Sequence, residues 1–180
     1  MTYSLEEFDS LLSRAQPVSS STPVATLRKW RTELVRASVF VSFAIGVLSV
    51  DFEVLKEGLE AIESSDKDVL QSIVDDLPSI LASGWVGGGW SLSPDASASV
   101  GAAAELSLDN ASGLLELHTE IASSNLGDPV AVRDLMERVS TQRLALIGIR
   151  EQLEGRIKQI QQIVRQHYAA GTASVDDWLA

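Results

Sequence analysis

The sequence predicts a mainly α-helical protein, an elongated antiparallel bundle built around two long helices. Apolar residues recur at three- and four-residue steps through two stretches of roughly 40 residues each. A Thr-Pro and an Asp-Pro pair stand in front of these stretches, as a helix N-cap and first helical residue commonly do. Glycine is concentrated between the stretches, so a Gly/Ala/Ser-rich loop or short β-hairpin is expected around residues 84–108.

A chain of 180 residues is long enough for one domain with a substantial core. Its 45% hydrophobic and 22% charged residues are typical of a folded protein. We therefore expect one helical domain over residues 1–180. Within it we expect a short N-terminal helix (1–16), a linker (17–22), the non-helical insert (84–108) and a C-terminal tail (172–180).

The N-terminal helix is predicted from a capping box, because Ser4 is followed three residues later by Glu7. Four apolar residues then fall on one helical face: Leu5, Phe8, Leu12 and Ala15. The serine-rich residues that follow indicate a linker.

The first long helix is predicted to start with Thr22 as N-cap and Pro23 at the first position. Its apolar seam repeats in a heptad-like way, with one irregular step near Asp51. The seam consists of Leu27, Trp30, Leu34, Ala37, Val41, Ala44, Leu48, Phe52, Leu55, Leu59 and Ile62.

Residues 37–50 form a run without any charge in the middle of this helix. As a helix the run would be about 21 Å long, which is shorter than the hydrocarbon core of a membrane, roughly 30 Å. Its β-branched and aromatic residues would also suit a strand, but the helical spacing on both flanks favours the centre of a buried helix.

The middle of the chain is less regular. Apolar spacing predicts a helix over residues 69–81, bent or stopped near Pro78. Residues 84–108 could form a loop, a hairpin or a glycine-weakened helix, of which an irregular loop or hairpin is favoured. A short helix is then expected over residues 111–127, ending at Gly127.

The second long helix is predicted to begin at Asp128-Pro129 and to end at Gly171, with an interruption at Gln142. Its seam consists of Val132, Leu135, Val139, Leu146, Ile149, Leu153, Ile157, Ile160, Val164 and Tyr168. Basic residues recur beside this seam at Arg143, Arg150, Lys158 and Arg165. They indicate a solvated flank or, alternatively, a charge ladder between helices or between subunits that meets Glu53, Glu57, Glu60 and Glu63.

Residues for catalysis or metal binding are scarce. There is no cysteine, which excludes disulfides and thiolate metal sites. The two histidines, His118 and His167, stand on separate helices and are interpreted as surface or boundary residues. No G-x-S-x-G motif occurs, and the glycine-rich loop lacks the Lys-Ser/Thr ending of a phosphate-binding loop. We therefore predict no catalytic, cofactor-binding or metal-binding residue, and a protein that is not an enzyme.

The net charge of −11 argues against nucleic acid as a partner and disfavours a permanent membrane surface. Residues 68–132 contain nine acidic residues and no Lys or Arg, whereas residues 133–180 contain seven basic and six acidic ones. These regions could face each other in the fold or across a homo-oligomer. The absence of cysteine mildly favours a cytoplasmic location, with export without a classical signal peptide as the alternative.

The main functional hypothesis is a helical protein–protein interaction module, such as an adaptor, assembly subunit or regulator. It would act through its helix seams and through tryptophans at its tips. Trp85 and Trp90 flank a glycine-rich turn and Trp178 lies in the tail, so these three are the predicted partner-binding residues. The alternative is a membrane-active, pore-forming helical protein that uses residues 37–50 or 84–108.

A third hypothesis comes from a resemblance. Trp85-Val86-Gly87 is a W-x-G triplet after a predicted helix, and it resembles the turn of the small helical proteins exported by type VII secretion. That resemblance implies a secreted helical protein. The chain departs from the pattern because a glycine-rich stretch follows where a second helix should begin, and because Tyr168 lacks an acidic residue four positions later.

Overall fold

The computed structural model describes residues 5–15, 18–64, 112–124 and 126–172. Helices account for 87% of these residues, and no strand occurs among them. The α-helices are α1 (Leu5–Arg14), α2 (Val24–Ser64), α3 (Glu116–Ser123) and α4 (Pro129–Ala169), and a 3₁₀ turn (Ser112–Leu114) precedes α3.

Helices α2 and α4 pack against each other along their lengths and run antiparallel. Near the start of α2, the Arg28 guanidinium donates to the Tyr168 hydroxyl, near the end of α4, at 2.7 Å. At the other end, Arg133 of α4 forms an ion pair with Glu63 of α2. Arg28 and Glu63 are as many residues apart on α2 as Arg133 and Tyr168 are on α4. One antiparallel register therefore describes the whole helix pair.

The predicted seam of α2 is confirmed as the inner face of this pair. Seven of its residues are fully buried, and Trp30, Phe52, Leu59 and Ile62 are half-buried and pack against the same core. The uncharged run is therefore the middle of a core helix, as predicted, and the strand alternative is wrong.

Helix α2 is also the one helix in the described part of the chain that is long and apolar enough to cross a membrane. An 18-residue window within it has a mean hydropathy of 1.9, and 44% of that window is buried in the protein. Length and composition alone give this result, and core helices of soluble proteins often meet the same criterion.

The α4 seam is confirmed as well. Val132, Leu135, Val139, Leu146, Leu153 and Ile160 are buried, and Ile149, Ile157 and Val164 pack against the core. Because each seam covers the other, the two long helices bury their apolar faces within a single chain. Neither inner seam is therefore left uncovered by the described part of the chain.

The predicted start of α4 is confirmed. The Asp128 side chain accepts a hydrogen bond from the Val130 amide at 2.9 Å, and Pro129 takes the first helical position. For α2 the start differs by one residue: the Pro23 carbonyl accepts from the Leu27 amide, while the Thr22 hydroxyl oxygen accepts from the Ser19 amide. Thr22 therefore shapes the turn before α2 instead of capping it.

Helix α4 ends at the predicted glycine. Gly171 has a φ of 67°, in the left-handed region that glycine occupies without strain. The Gly171 amide donates to the Tyr168 carbonyl and the Thr172 amide to the His167 carbonyl. These two bonds define a Schellman motif, which satisfies carbonyls that the helix end would leave free.

Helix α1 packs on both long helices through the predicted face. Phe8, Leu12 and Ala15 are buried, and Leu11 joins them. Several other expectations fall outside the described residues: the Ser4 cap, the helix over 69–81, the insert around 84–108 and the tail beyond Thr172.

The helix expected over residues 111–127 is shorter than predicted. The 3₁₀ turn occupies its first residues, and α3 ends at Ser123 because Ser124 adopts an extended conformation (φ −82°, ψ 151°). The chain then turns directly into the Asp128 cap of α4.

Candidate functional site

A buried hydrogen-bonded pair joins α2 to α3. Asp51 interrupts the α2 seam and is 0% exposed, while His118 of α3 is 8% exposed. The His118 ring nitrogen Nδ1 lies 2.9 Å from Asp51 Oδ1 and 3.1 Å from Oδ2. A carboxylate can only accept, so Nδ1 is the donor and Nε2 is the ring's remaining polar atom. A buried carboxylate is tolerated only with such a partner.

Gln142, the polar residue that interrupts the α4 seam, contacts the same short segment, residues 112–124. Gln142 Nε2 donates to the Leu114 carbonyl at 2.8 Å, in the 3₁₀ turn directly before α3. The antiparallel register places Gln142 level with Val54, one helical turn from Asp51. The two polar residues that break the two long seams therefore both hold residues 112–124.

A third contact lies at the surface. Arg138 of α4 donates to both carboxylate oxygens of Glu120 on α3, at 2.6 and 2.5 Å, and its ion pair with Asp134 spans 3.6 Å. The hydrogen bond from Arg138 lowers the pKa of Glu120, and the same bond is the main reason that the pKa of Arg138 is raised. All three groups remain exposed, so solvent screens their attraction.

We call these three contacts the polar junction: Asp51–His118, Gln142–Leu114 and Arg138–Glu120. Helix α3 has only eight residues, too few to be stable without tertiary contacts. Leu117 and Ile121 supply its buried apolar face. Apolar contacts tolerate sliding, whereas hydrogen-bonded pairs do not, so the polar junction fixes where α3 sits on the long helices.

Helices α3 and α4 enclose an open groove of about 530 Å³, which residues of the polar junction line in part. Four carboxylates line it, from Glu116 and Glu120 on α3 and from Asp134 and Glu137 on α4, against one guanidinium from Arg138. The groove is therefore strongly acidic, and it suits a basic ligand.

A carboxylate bonded to histidine Nδ1 is also the arrangement that orients a catalytic or metal-binding imidazole. Such a role would require a nucleophile or further ligands at Nε2. No group of three or more His, Cys, Asp or Glu that could hold a metal ion occurs among residues 5–15, 18–64, 112–124 and 126–172. The geometry of this pair accounts for the attachment of α3 to α2.

The interpretation of His118 as a surface or boundary residue was wrong. His118 is buried because its partner Asp51 stands at the irregular step of the α2 seam. His167 is half-buried, and its Nδ1 lies 3.0 Å from the Thr172 hydroxyl. The predicted partner-binding residues Trp85, Trp90 and Trp178 lie outside the described residues, so the structure does not relate them to the polar junction.

Between the two long helices of one chain, the proposed charge ladder is not observed. Glu63 pairs with Arg133, Glu53 with Lys56, and Arg150 with Glu154 of its own helix. The antiparallel register explains most of the difference, because it sets Glu57, Glu60 and Glu63 beside residues 133–139 of α4 and leaves only Glu53 level with Arg143. Arg143, the first residue of the supposed ladder, lies over the Phe52 ring with 5.7 Å between guanidinium carbon and ring centroid.

The same register separates charge along the helix pair. The end with the acidic groove also carries the α2 glutamates, and we call it the acidic end. The opposite, basic end combines the first turns of α2 with the last turns of α4: Arg28, Lys29, Arg31, Arg36, Arg156, Lys158 and Arg165. Crowding there is visible at Arg31, whose pKa is lowered first by burial and then by neighbouring Arg28.

Comparison of the chain with protein-family models, with curated proteins and with solved structures returns no match.

Proposed function

We propose that this protein is a non-enzymatic helical interaction module, and that its acidic groove binds a basic helical segment of a protein partner. The observation that carries this proposal is the polar junction. It holds α3 against both long helices, through the buried contact of His118 with Asp51 of α2 and through the bonds that Gln142 and Arg138 of α4 donate, and thereby forms a groove lined by four carboxylates. A preformed groove lowers the cost of ordering on binding.

Charge supports a basic occupant. The groove residues carry a single guanidinium, and Arg138 is already bound to Glu120 and Asp134. Glu116 and Glu137 are exposed and lie on opposite walls. Lysine or arginine side chains from a partner would be steered to these carboxylates, and the affinity would fall as salt is raised.

The test uses a photo-crosslinking residue at Thr141, which is exposed and lines the groove. Activated in the native host, it should trap a partner whose crosslinked peptide is rich in Lys or Arg. The same probe at Ala25, an exposed position of α2, is the control. Crosslinks of equal yield at both positions, or to acidic peptides, would remove the groove from the proposal.

Charge reversal provides the quantitative measurement. Glu116→Lys with Glu137→Lys should lower capture of the trapped partner at least tenfold, because both walls then repel a basic segment. The matched control is Glu57→Lys with Glu60→Lys, which changes the net charge equally at exposed positions of α2. Unchanged helical circular dichroism shows that the fold is retained, and equal loss in both variants would contradict binding in the groove.

The tryptophans are part of the same proposal as additional partner contacts. Removing a central aromatic anchor typically costs about 2 kcal/mol or more in binding free energy. Trp85→Ala with Trp90→Ala, and separately Trp178→Ala, should weaken capture while leaving helical circular dichroism intact. Unchanged capture would discard the tryptophans and leave the groove as the proposed contact.

A second candidate function, membrane activity, is favoured by the hydropathy of α2. In that case α2 would leave the helix pair and enter lipid. Dye release from anionic and neutral liposomes between pH 4 and pH 8, at about micromolar protein, separates the candidates. Release that Val41→Asp abolishes would favour the membrane, and the absence of release would leave the interaction module.

A further inference from the structure

The outer face of α4, opposite its seam, shows features that the single chain does not explain. Val130 and Leu144 are 69% and 70% exposed, and they are the exposed large hydrophobic side chains among residues 5–15, 18–64, 112–124 and 126–172. Leu144 lies near the middle of α4, so neither a helix cap nor a turn explains why its side chain is exposed to solvent.

Two glycines share this face. Gly148 and Gly155 follow Leu144 at helical spacing, with Glu151 between them, so all four residues lie on one side of α4. A glycine inside a helix costs up to about 1 kcal/mol relative to alanine. A Cβ atom built at either glycine would meet nothing within 4 Å, so no contact within the described structure requires these glycines. Close packing of a helix from another molecule against this face would require them.

The surface formed by the outer face of α4 together with α3 has a basic and an acidic end. Residues 155–172 contain Arg156, Lys158 and Arg165 and no acidic residue. At the other end, Asp134 and Glu137 line the acidic groove with two glutamates of α3. The arginines on the same turns, Arg133 and Arg138, are already paired with Glu63 and Glu120. Such a surface is complementary to an antiparallel copy of itself.

We propose that the partner in the groove is a second copy of this chain, packed antiparallel along the outer face of α4. The two-fold axis would pass between residues 148 and 151. Leu144 then falls level with the notch at Gly155 of the partner subunit. The basic last turns of one α4 lie along the acidic groove of the other. This inference rests on the proposed function, because it names the basic segment that the groove receives.

The outer face of α4 is long enough for an extended interface. A contact from residue 134 to residue 165 is about 47 Å long at 1.5 Å per residue. Specific interfaces bury more than about 1,000 Å², so the proposed interface requires contact along this whole length together with side chains of α3. Only an antiparallel arrangement pairs the unlike halves, because a parallel one would place like charges together.

The absence of cysteine makes cross-linking a clean test. Glu151→Cys lies beside the proposed axis, so a short bismaleimide should join two copies in high yield. Gln166→Cys is equally exposed, but the two copies of this residue would be about 50 Å apart and should not join. Cross-linking of both variants would indicate a parallel pair, and cross-linking of neither, with sedimentation as a monomer at about 100 μM, would overturn the proposal.

A charge swap tests the pairing itself. Lys158→Glu should weaken self-association at least tenfold by sedimentation, and so should Glu137→Lys. The two substitutions in one chain should restore the association to within about threefold, because both symmetry-related copies of this charge pairing are then reversed. No restoration would overturn the antiparallel register.

The outcomes separate this inference from the proposed function. A strictly monomeric chain whose Thr141 probe still traps a basic peptide of another protein overturns the second copy and leaves the interaction module in place. A dimer with the predicted cross-links, in which Glu116→Lys with Glu137→Lys does not weaken association, shows that the groove is not part of the dimer contact and overturns the second copy as its occupant. The proposed function is then decided by the Thr141 probe alone.

Discussion

The inner and outer faces of α4 both carry residues that break the usual pattern of a helix face, but only on the inner face does such a residue have a partner within the described structure. On the inner face the one polar interruption, Gln142, has a defined partner in the Leu114 carbonyl. The outer face carries an exposed leucine and two glycines for which the described structure supplies no partner. The inner face is thus explained by the fold of one chain. Unexplained residues on the other face are the better guide to function, since intramolecular stability does not require them.

Among the substitutions that test this difference between the faces, His118→Ala should have the largest effect. His118→Ala leaves the Asp51 carboxylate buried without its partner, and removing one partner of a buried pair typically costs about 3–5 kcal/mol. We expect a loss of this size in the free energy of unfolding, measured with urea. A loss below about 1 kcal/mol would show that water reaches Asp51.

The double variant Asp51→Leu with His118→Leu is the control for that experiment. Replacing both partners of a buried ion pair by apolar residues is often neutral or stabilising. We therefore expect most of the stability to return. A double variant as unstable as His118→Ala would mean that the pair has a packing role that leucine cannot fill.

Gln142→Ala comes next in size. Leu114 is buried, so its carbonyl would lose a hydrogen bond in a place where water does not replace it. An unsatisfied buried acceptor costs about 1–3 kcal/mol. Urea unfolding should show this loss, whereas Gln162→Ala, at an exposed position of the outer face, should change stability by less than about 0.5 kcal/mol.

Alanine in place of glycine sharpens the comparison between faces, because the effects on folding and association should have opposite signs. Gly46→Ala and Gly155→Ala should each stabilise the monomer by about 0.4–1 kcal/mol, since nothing lies within 4 Å of the added methyl group. Gly155→Ala should also weaken self-association by filling the proposed notch. Gly46 lies on α2, away from that notch, so its substitution should leave association unchanged. Urea unfolding and sedimentation measure the two effects separately.

Much of the fold follows from sequence periodicity. Each seam consists of residues three and four apart, and an antiparallel pair of such helices buries both seams at once. Asp128 and Gly171 were predictable as helix ends because their capping chemistry is local. The start of α2 differed by one residue because the Thr22 hydroxyl accepts a hydrogen bond from Ser19, a choice that depends on the turn before it.

The polar junction was only partly visible in the sequence. The irregular step at Asp51 and the interruption at Gln142 were both apparent. The apolar pattern of a helix does not, however, indicate which other segment of the chain contacts the polar residues that interrupt it. Pairing Asp51 with His118 joins positions 67 residues apart. The charge ladder failed for a related reason: seven-residue spacing places basic residues on one face, whereas the partner of each residue is set by the register between helices.

Glu120→Gln should have the smallest effect, although its pair with Arg138 has good bidentate geometry. Both side chains are exposed, and screening with side-chain entropy removes most of the attraction. We expect a change in Tm of no more than about 2 °C at pH 7. The hydrogen bond lowers the pKa of folded Glu120. The stabilisation is therefore present above the ordinary glutamate value of about 4.3 and is lost as pH falls through the lower, folded value.

Thermal unfolding at pH 7 and pH 3 measures this dependence, and Glu137→Gln is the matched control. Glu137 lines the same groove, and no ion pair to it is seen within residues 112–124 and 126–172. The Tm difference between the wild-type chain and Glu120→Gln should shrink on acidification, while that of Glu137→Gln should show no such decrease. A large decrease in Tm for Glu120→Gln that does not depend on pH would show that this surface contact stabilises the fold as strongly as the buried contacts do. Helix α3 would then depend on its surface charge as much as on Asp51 and Gln142.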